Sequence, residues 1–145
     1  MRRKYMWLVC GLFVAWTLMI FSRSMQPAAI SKQESEVVQE LLHHSFSMEL
    51  TVHRVRKSAH LSEFAVLGVL AQLMFGGLCR RWKESALFAV MTSLVIALCD
   101  ETIQLFAFGR SGQVEDIWLD LCGAVSGVLV VLVFRFLVQR KRKIK

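Results

Sequence analysis

Apolar residues fall into four long blocks, 6–21, 58–79, 85–108 and 117–138, divided by charged or polar connections. A helix crossing a bilayer needs about 20 apolar residues. The pattern therefore predicts four membrane-spanning helices, the first of them short. In the connection after the first block, Ser31 and Glu34 stand at capping-box spacing. Val37, Val38, Leu41, Leu42 and Phe46 then recur at helical intervals. This predicts a short amphipathic helix on the membrane surface or covering the bundle. The expected fold is an all-α membrane protein, one domain over residues 1–145.

Composition agrees with the pattern. The chain is 55% hydrophobic, against roughly 45–50% for a soluble domain, and its mean hydropathy is +0.49. The net charge of +7 raises nucleic acid as a partner, but its distribution argues against that reading. The positives flank the greasy blocks: Arg2, Arg3 and Lys4; Arg80, Arg81 and Lys83; and a tail rich in Lys and Arg at 139–145. Short basic flanks remain cytoplasmic and meet anionic lipid. The expected topology is thus N-in and C-in, with residues 22–57 and 107–116 outside. The amphipathic helix then lies in the first extracytoplasmic connection. Residues Arg2 to Lys4 before an apolar core, with small residues Ser22 and Ser24 after it, also fit a cleaved signal peptide. The length of the core favours an uncleaved anchor. Cys10, Cys79, Cys99 and Cys122 each lie in an apolar run without a CxxC pair. They read as small buried hydrophobes rather than disulfides or zinc ligands.

Polar residues interrupt the last three blocks at matching depths. His60 and Glu63 lie near the outer end of the second, Asp100, Glu101 and Gln104 in the outer third of the third, and Asp116 and Asp120 at the start of the fourth. At about 1.5 Å per residue these seven occupy one layer, and Arg110 lies in the loop above. Rotation at about 100° per residue puts His60 with Glu63, and Asp100 with Gln104, on shared faces. Asp116, Asp120, Gly123 and Gly127 form one row by the same reckoning, and Gly123-xxx-Gly127 is a small-residue seam for close helix packing. An acid facing lipid costs about 2.5–3.5 kcal/mol on insertion scales. The acids must therefore face the interior and find partners: Arg110, His60, Lys57, Arg56, a cation or water.

Such a layer fits either a polar plug that fixes helix register or a functional site. His60 among carboxylates could ligate a divalent cation. His60-xx-Glu63 lacks the second His of a zinc-protease motif, and no Ser or Cys is placed as a nucleophile. His43, His44 and His53 in the first connection read as solvated.

The chain resembles the VanZ-like family of small bacterial membrane proteins. The resemblance is carried by FSRSMQPAAISKQES (21–35), by RKSAHLSEFAVLGVL (56–70), and by DETIQLFAFGRSGQVEDIWLDLCGAVSG (100–127) with its D-E-x-x-Q, G-R and D-xxx-D-xx-G-xxx-G pattern. His60, Glu63, Asp100, Glu101, Gln104, Arg110, Asp116, Asp120, Gly123 and Gly127 are the matching positions. Phe64 departs from it, standing where many relatives carry Tyr, so a role needing that hydroxyl does not transfer. The family is named for a member associated with low-level teicoplanin resistance. The resemblance implies a multi-pass protein of the bacterial cell membrane. Two functions follow as expectations. One is an outer-face polar site that binds an envelope lipid or glycopeptide and contributes to resistance. The other is an intramembrane, metal-assisted hydrolase or transferase on a lipid-linked substrate.

Overall fold

A computed structural model of the chain describes residues 3–46 and 50–143. They form five helices: α1 (Arg3–Ser24), α2 (Ala28–Phe46), α3 (Val52–Leu78), α4 (Trp82–Phe106) and α5 (Val114–Lys143). There is no strand among the described residues. Four of them, all but α2, are long and apolar enough to cross a membrane. The fold is the all-helical, four-span architecture that the hydropathy pattern predicts.

The helices outrun their apolar blocks. Hydropathy marks the segment that would sit in hydrocarbon, whereas polar flanks remain good helix formers. The second span thus begins at Val52 rather than 58, where Thr51 caps it by accepting a bond from the Arg54 N–H at 3.3 Å. The fourth begins at Val114, with Glu115 and Asp116 in the first turn, where the helix dipole favours acids.

The start of α2 corrects the sequence reading. Ser31 is not its cap. The Pro27 carbonyl accepts from the N–H groups of Ile30 and Ser31 at 3.1 and 3.3 Å, so the helix starts at Ala28 with Pro27 just before it, four residues earlier than a Ser31 cap would place it. Ser31 and Ser35 are the residues α2 buries, while Val37, Val38 and Leu41 are exposed. The helix turns hydroxyls, rather than its branched apolar residues, toward the bundle.

The spans pack around α3. Phe64, Leu67 and Ala71 of α3 meet Phe13 and Ile20 of α1, Ala89, Ile96 and Ala97 of α4, and Val128 of α5. Large side chains face outward on the same helices, including Trp7, Leu18, Leu87, Val95, Val130 and Phe134. That arrangement suits lipid as the solvent, since lipid gives apolar residues no reason to hide. The closest seam joins α3 to α5. A Cβ at Gly127 would collide with the Ala65 carbonyl, one at Gly123 with the Leu61 carbonyl, and one at Gly68 with the Ala124 carbonyl. Gly68 completes from α3 the seam that sequence spacing places on α5 alone. Two polar contacts add register. Trp16 Nε1 donates to the Glu63 carbonyl at 2.9 Å, tying α1 to α3. Gln72 Nε2 donates to Ser85 Oγ at 3.0 Å, tying α3 to α4.

Candidate functional site: a polar layer at one end of the bundle

The C-termini of α1 and α4, the N-termini of α3 and α5, and α2 meet at one end. Alternating helix direction makes this unavoidable, and it brings the polar residues of four helices to one depth. Asp100 and Asp120 are completely buried, and Glu101 and Gln104 are nearly so.

The α4 acids are well supplied with donors. Asp100 Oδ1 accepts from Ser24 Oγ at 2.5 Å, and its Oδ2 accepts from Gln104 Nε2 at 2.9 Å. Glu101 Oε1 accepts from the same amide at 3.1 Å. Its Oε2 accepts from the backbone N–H of Gln113 at 2.8 Å. That last bond exists because the chain folds back over α4 after Phe106. Gly109 takes a positive φ of 74° in the turn, which glycine adopts without strain. Gly112 lies so near α4 that a Cβ there would stand 3.0 Å from the Glu101 carbonyl. The same turn presents the Phe108 carbonyl to the N–H of Ala28 at 3.0 Å, docking the start of α2.

At the rim, charges pair across helices. Lys57 Nζ lies 3.3 Å from Asp116 Oδ1. Arg23 reaches both Glu63 of α3 and Glu34 of α2 at 3.2 Å. One arginine therefore links α1, α2 and α3.

The α5 acid is the exception. Neither oxygen of Asp120 has a hydrogen-bond donor, although both are buried. His60 faces it, with Nδ1 3.8 Å from Asp120 Oδ1 and itself buried without a partner. A buried polar group left unmatched costs about 1–3 kcal/mol. His60, Asp100 and Asp120 each offer an atom within 4.8 Å of the others. By donor type, one imidazole and two carboxylates could hold a divalent cation.

Against His60 lies a small cavity of about 20 Å³, room for about one water, lined by Arg23, Arg56, Arg110, His60, Glu63, Ser24 and the α2 serines Ser31 and Ser35. Arg110 differs from its expected role. Among the described residues it forms no ion pair, and its Nε is buried without an acceptor. Burial, reinforced by the nearby Arg56 charge, lowers its pKa from the usual arginine value. Arginine nonetheless stays a cation in proteins. The close ion pairs of the layer come instead from Arg23, to Glu63, and Lys57, to Asp116, while Arg110 lines the cavity beside Glu63.

All eight polar positions singled out from sequence lie in this layer or its rim. Sequence reasoning missed Ser24 and Arg23, which look like ordinary residues after a greasy run. Their depth was the available signal: they end α1 at the level where α4 carries its acids. It also missed the Gln113 N–H, which side-chain patterns cannot show. The four cysteines are free, and His43 and His44 are exposed on α2.

The family model described as VanZ/LLP1 matches residues 9–135. No curated protein and no solved structure matches the chain. The match runs from the first third of α1 into the last third of α5 and so takes in every residue of the polar layer. With its four membrane-capable helices, the chain belongs to the VanZ-like family and is a multi-pass membrane protein.

Proposed function

We propose that the polar layer faces the outside of the cell membrane and binds the anionic head group of an envelope amphiphile. The ligand is an envelope lipid or an amphiphilic antibiotic of the teicoplanin type, and binding alters its access to the surface. The observation that carries this reading is the cavity wall. It presents Arg23, Arg56 and Arg110 together, with the Arg110 Nε buried and bare. A planar guanidinium is suited to paired hydrogen bonds with phosphate or carboxylate. The basic flanks at Arg80, Arg81 and Lys83 and at the C-terminus support the orientation. Expression in a sensitive host tests the reading, comparing the parent chain with Arg110→Ala and Asp100→Asn. The expected result is reduced teicoplanin susceptibility with the parent chain, reversed by Arg110→Ala. Unchanged susceptibility, together with no binding to anionic vesicles, would sink it.

A second reading is an intramembrane hydrolase or transferase on a lipid-linked substrate, supported by His60 beside two carboxylates. The hydroxyls near the layer offer it little. Ser62 is exposed and hydrogen-bonded to the carbonyls of its own helix, and Ser111 is exposed on the turn. Accumulation of one lipid species in a deletion strain would favour the enzyme over the binding protein.

A further inference from the structure

The geometry points to a divalent metal site made by His60 Nδ1 and the carboxylates of Asp100 and Asp120, beside the arginine-lined cavity. It deepens the binding reading and rests on it for the ligand. The metal would offer its open position to an oxygen of the anionic head group.

Three observations converge on this. The donor atoms lie within 4.8 Å of one another, with His60 Nδ1 and Asp120 Oδ1 at 3.8 Å. Donors bound about 2.1 Å from a tetrahedral ion stand roughly 3.4 Å apart. The His60–Asp120 pair is then within about half an ångström of that spacing, and the widest separation would have to close by about 1.4 Å through side-chain rotation. Next, Asp120 is completely buried with both oxygens unpartnered, and His60 Nδ1 is likewise buried and bare. An imidazole nitrogen bare toward two carboxylates either carries a proton or waits for a cation. At 3.8 Å the pair is too long for a hydrogen bond, but that separation suits a shared ion. Finally, Asp100 is already oriented by Ser24 and Gln104 at 2.5 and 2.9 Å. Such bonds are what hold a ligating carboxylate in place, and they leave its remaining lone pairs free.

Charge balance favours occupancy. Two carboxylates this close in a low-dielectric layer repel each other, and one divalent cation with a neutral imidazole brings the site to zero. The ligand set of one nitrogen and two oxygens selects a first-row ion such as Zn²⁺ or Mn²⁺ over the all-oxygen preference of Ca²⁺ and Mg²⁺. With three protein ligands a tetrahedral ion keeps one position open. His60 lines the cavity and also faces Asp120, so one of the three ligands stands at the boundary between the site and Arg23, Arg56 and Arg110.

The test uses full-length protein in lipid nanodiscs, stripped with chelator and titrated with Zn²⁺ and separately with Mn²⁺. One equivalent of saturable metal is expected. Asp120→Asn and His60→Gln, both near-isosteric, should each lower the affinity at least 10-fold. Asp116→Asn should retain it, because Asp116 pairs with Lys57 at the rim. Co²⁺ loading supplies a second readout, a visible absorption band present in the parent and absent in Asp120→Asn. Saturable uptake that is equal in parent and Asp120→Asn, or no uptake by the parent, overturns the site. Vesicles containing phosphatidylglycerol then separate the two ideas. If stripped and loaded protein bind them equally, the metal does not meet the head group and that part fails. If metal binds as expected but Arg110→Ala leaves vesicle binding unchanged, the arginine reading fails while the metal site stands.

Discussion

Ser24 and Asp100 stand 76 positions apart in the chain and share a buried hydrogen bond of 2.5 Å. The bond closes the bundle at its polar end, because Ser24 is the last residue of α1 and Asp100 lies in the last third of α4. Ser24→Ala would leave Asp100 Oδ1 without its donor. A buried acceptor so deprived costs about 1–3 kcal/mol. Thermal unfolding in detergent should show a drop of several degrees. Ser22→Ala is the control, since Ser22 is exposed and bonds only to the Met19 carbonyl. Equal effects from the two would refute the role given to Ser24.

The same bond bears on processing of the N-terminus. Cleavage after Ser24 would remove Ser24, Arg23 and Trp16, each of which holds another helix. The protein isolated from membranes should therefore retain α1. N-terminal sequencing should find the α1 residues still attached, and a product beginning at residue 25 would contradict this.

The α3–α5 seam makes a sharper mutational prediction. Gly127→Ala sets a Cβ against the Ala65 carbonyl and, at 2.9 Å, the Val69 nitrogen. Backbone cannot turn aside as a flexible side chain can, so overpacking should cost about 1–3 kcal/mol. Gly11→Ala meets nothing within 4 Å and should be neutral or stabilising by up to about 1 kcal/mol through helix propensity. Denaturation of both variants in the same detergent checks the contrast. Similar stabilities would mean that the seam is not close-packed in the membrane.

Arg23 is partly exposed, so each of its ion pairs contributes at most about 1 kcal/mol. Global stability should barely move in Arg23→Gln. Local order should move more, because Arg23 is the side-chain tie from α1 to Glu34 of α2. Hydrogen exchange is expected to rise several-fold across residues 28–46 while α3 and α5 stay protected. Unchanged exchange in α2 would show that the contact with Phe108, the Gln39 bond to the Leu50 carbonyl and the buried serines suffice to hold it.

Orientation is open to a direct check. A fluorescent reporter that folds only in the cytoplasm should light up when fused after Lys145, whereas a reporter active only outside should work when inserted at Ser111. The reverse pattern would invert the topology and put the cavity on the wrong side for an external ligand.

The legibility of the layer has a physical basis. Asp100, Glu101 and Asp120 announce themselves because acids are costly in an apolar run, and helical depth places them at one level. Ser24 carries no such penalty, since a serine can satisfy its own helix carbonyls, so its pairing with Asp100 becomes visible only when α1 is packed. Arg110 shows the converse. Its charge and its place in the loop suggest pairing with the acids, but the close ion pairs come from Arg23 and Lys57, and Arg110 lines the cavity beside Glu63. The apolar seam was half visible: Gly123 and Gly127 repeat at helical spacing, while their counterpart Gly68 sits alone in a greasy stretch and gains meaning only from the helix opposite.

That seam has a consequence for traffic. Where α3 and α5 touch backbone to backbone, no side chain remains to rotate aside, and the two helices behave as one fixed wall. The cavity is roofed on the other side by the serine face of α2, a helix held by Arg23, by the backbone bond from Ala28 to Phe108, and by Gln39, whose Nε2 donates to the Leu50 carbonyl. Any widening of the cavity is therefore expected on the α2 side, under that roof, rather than between the staves.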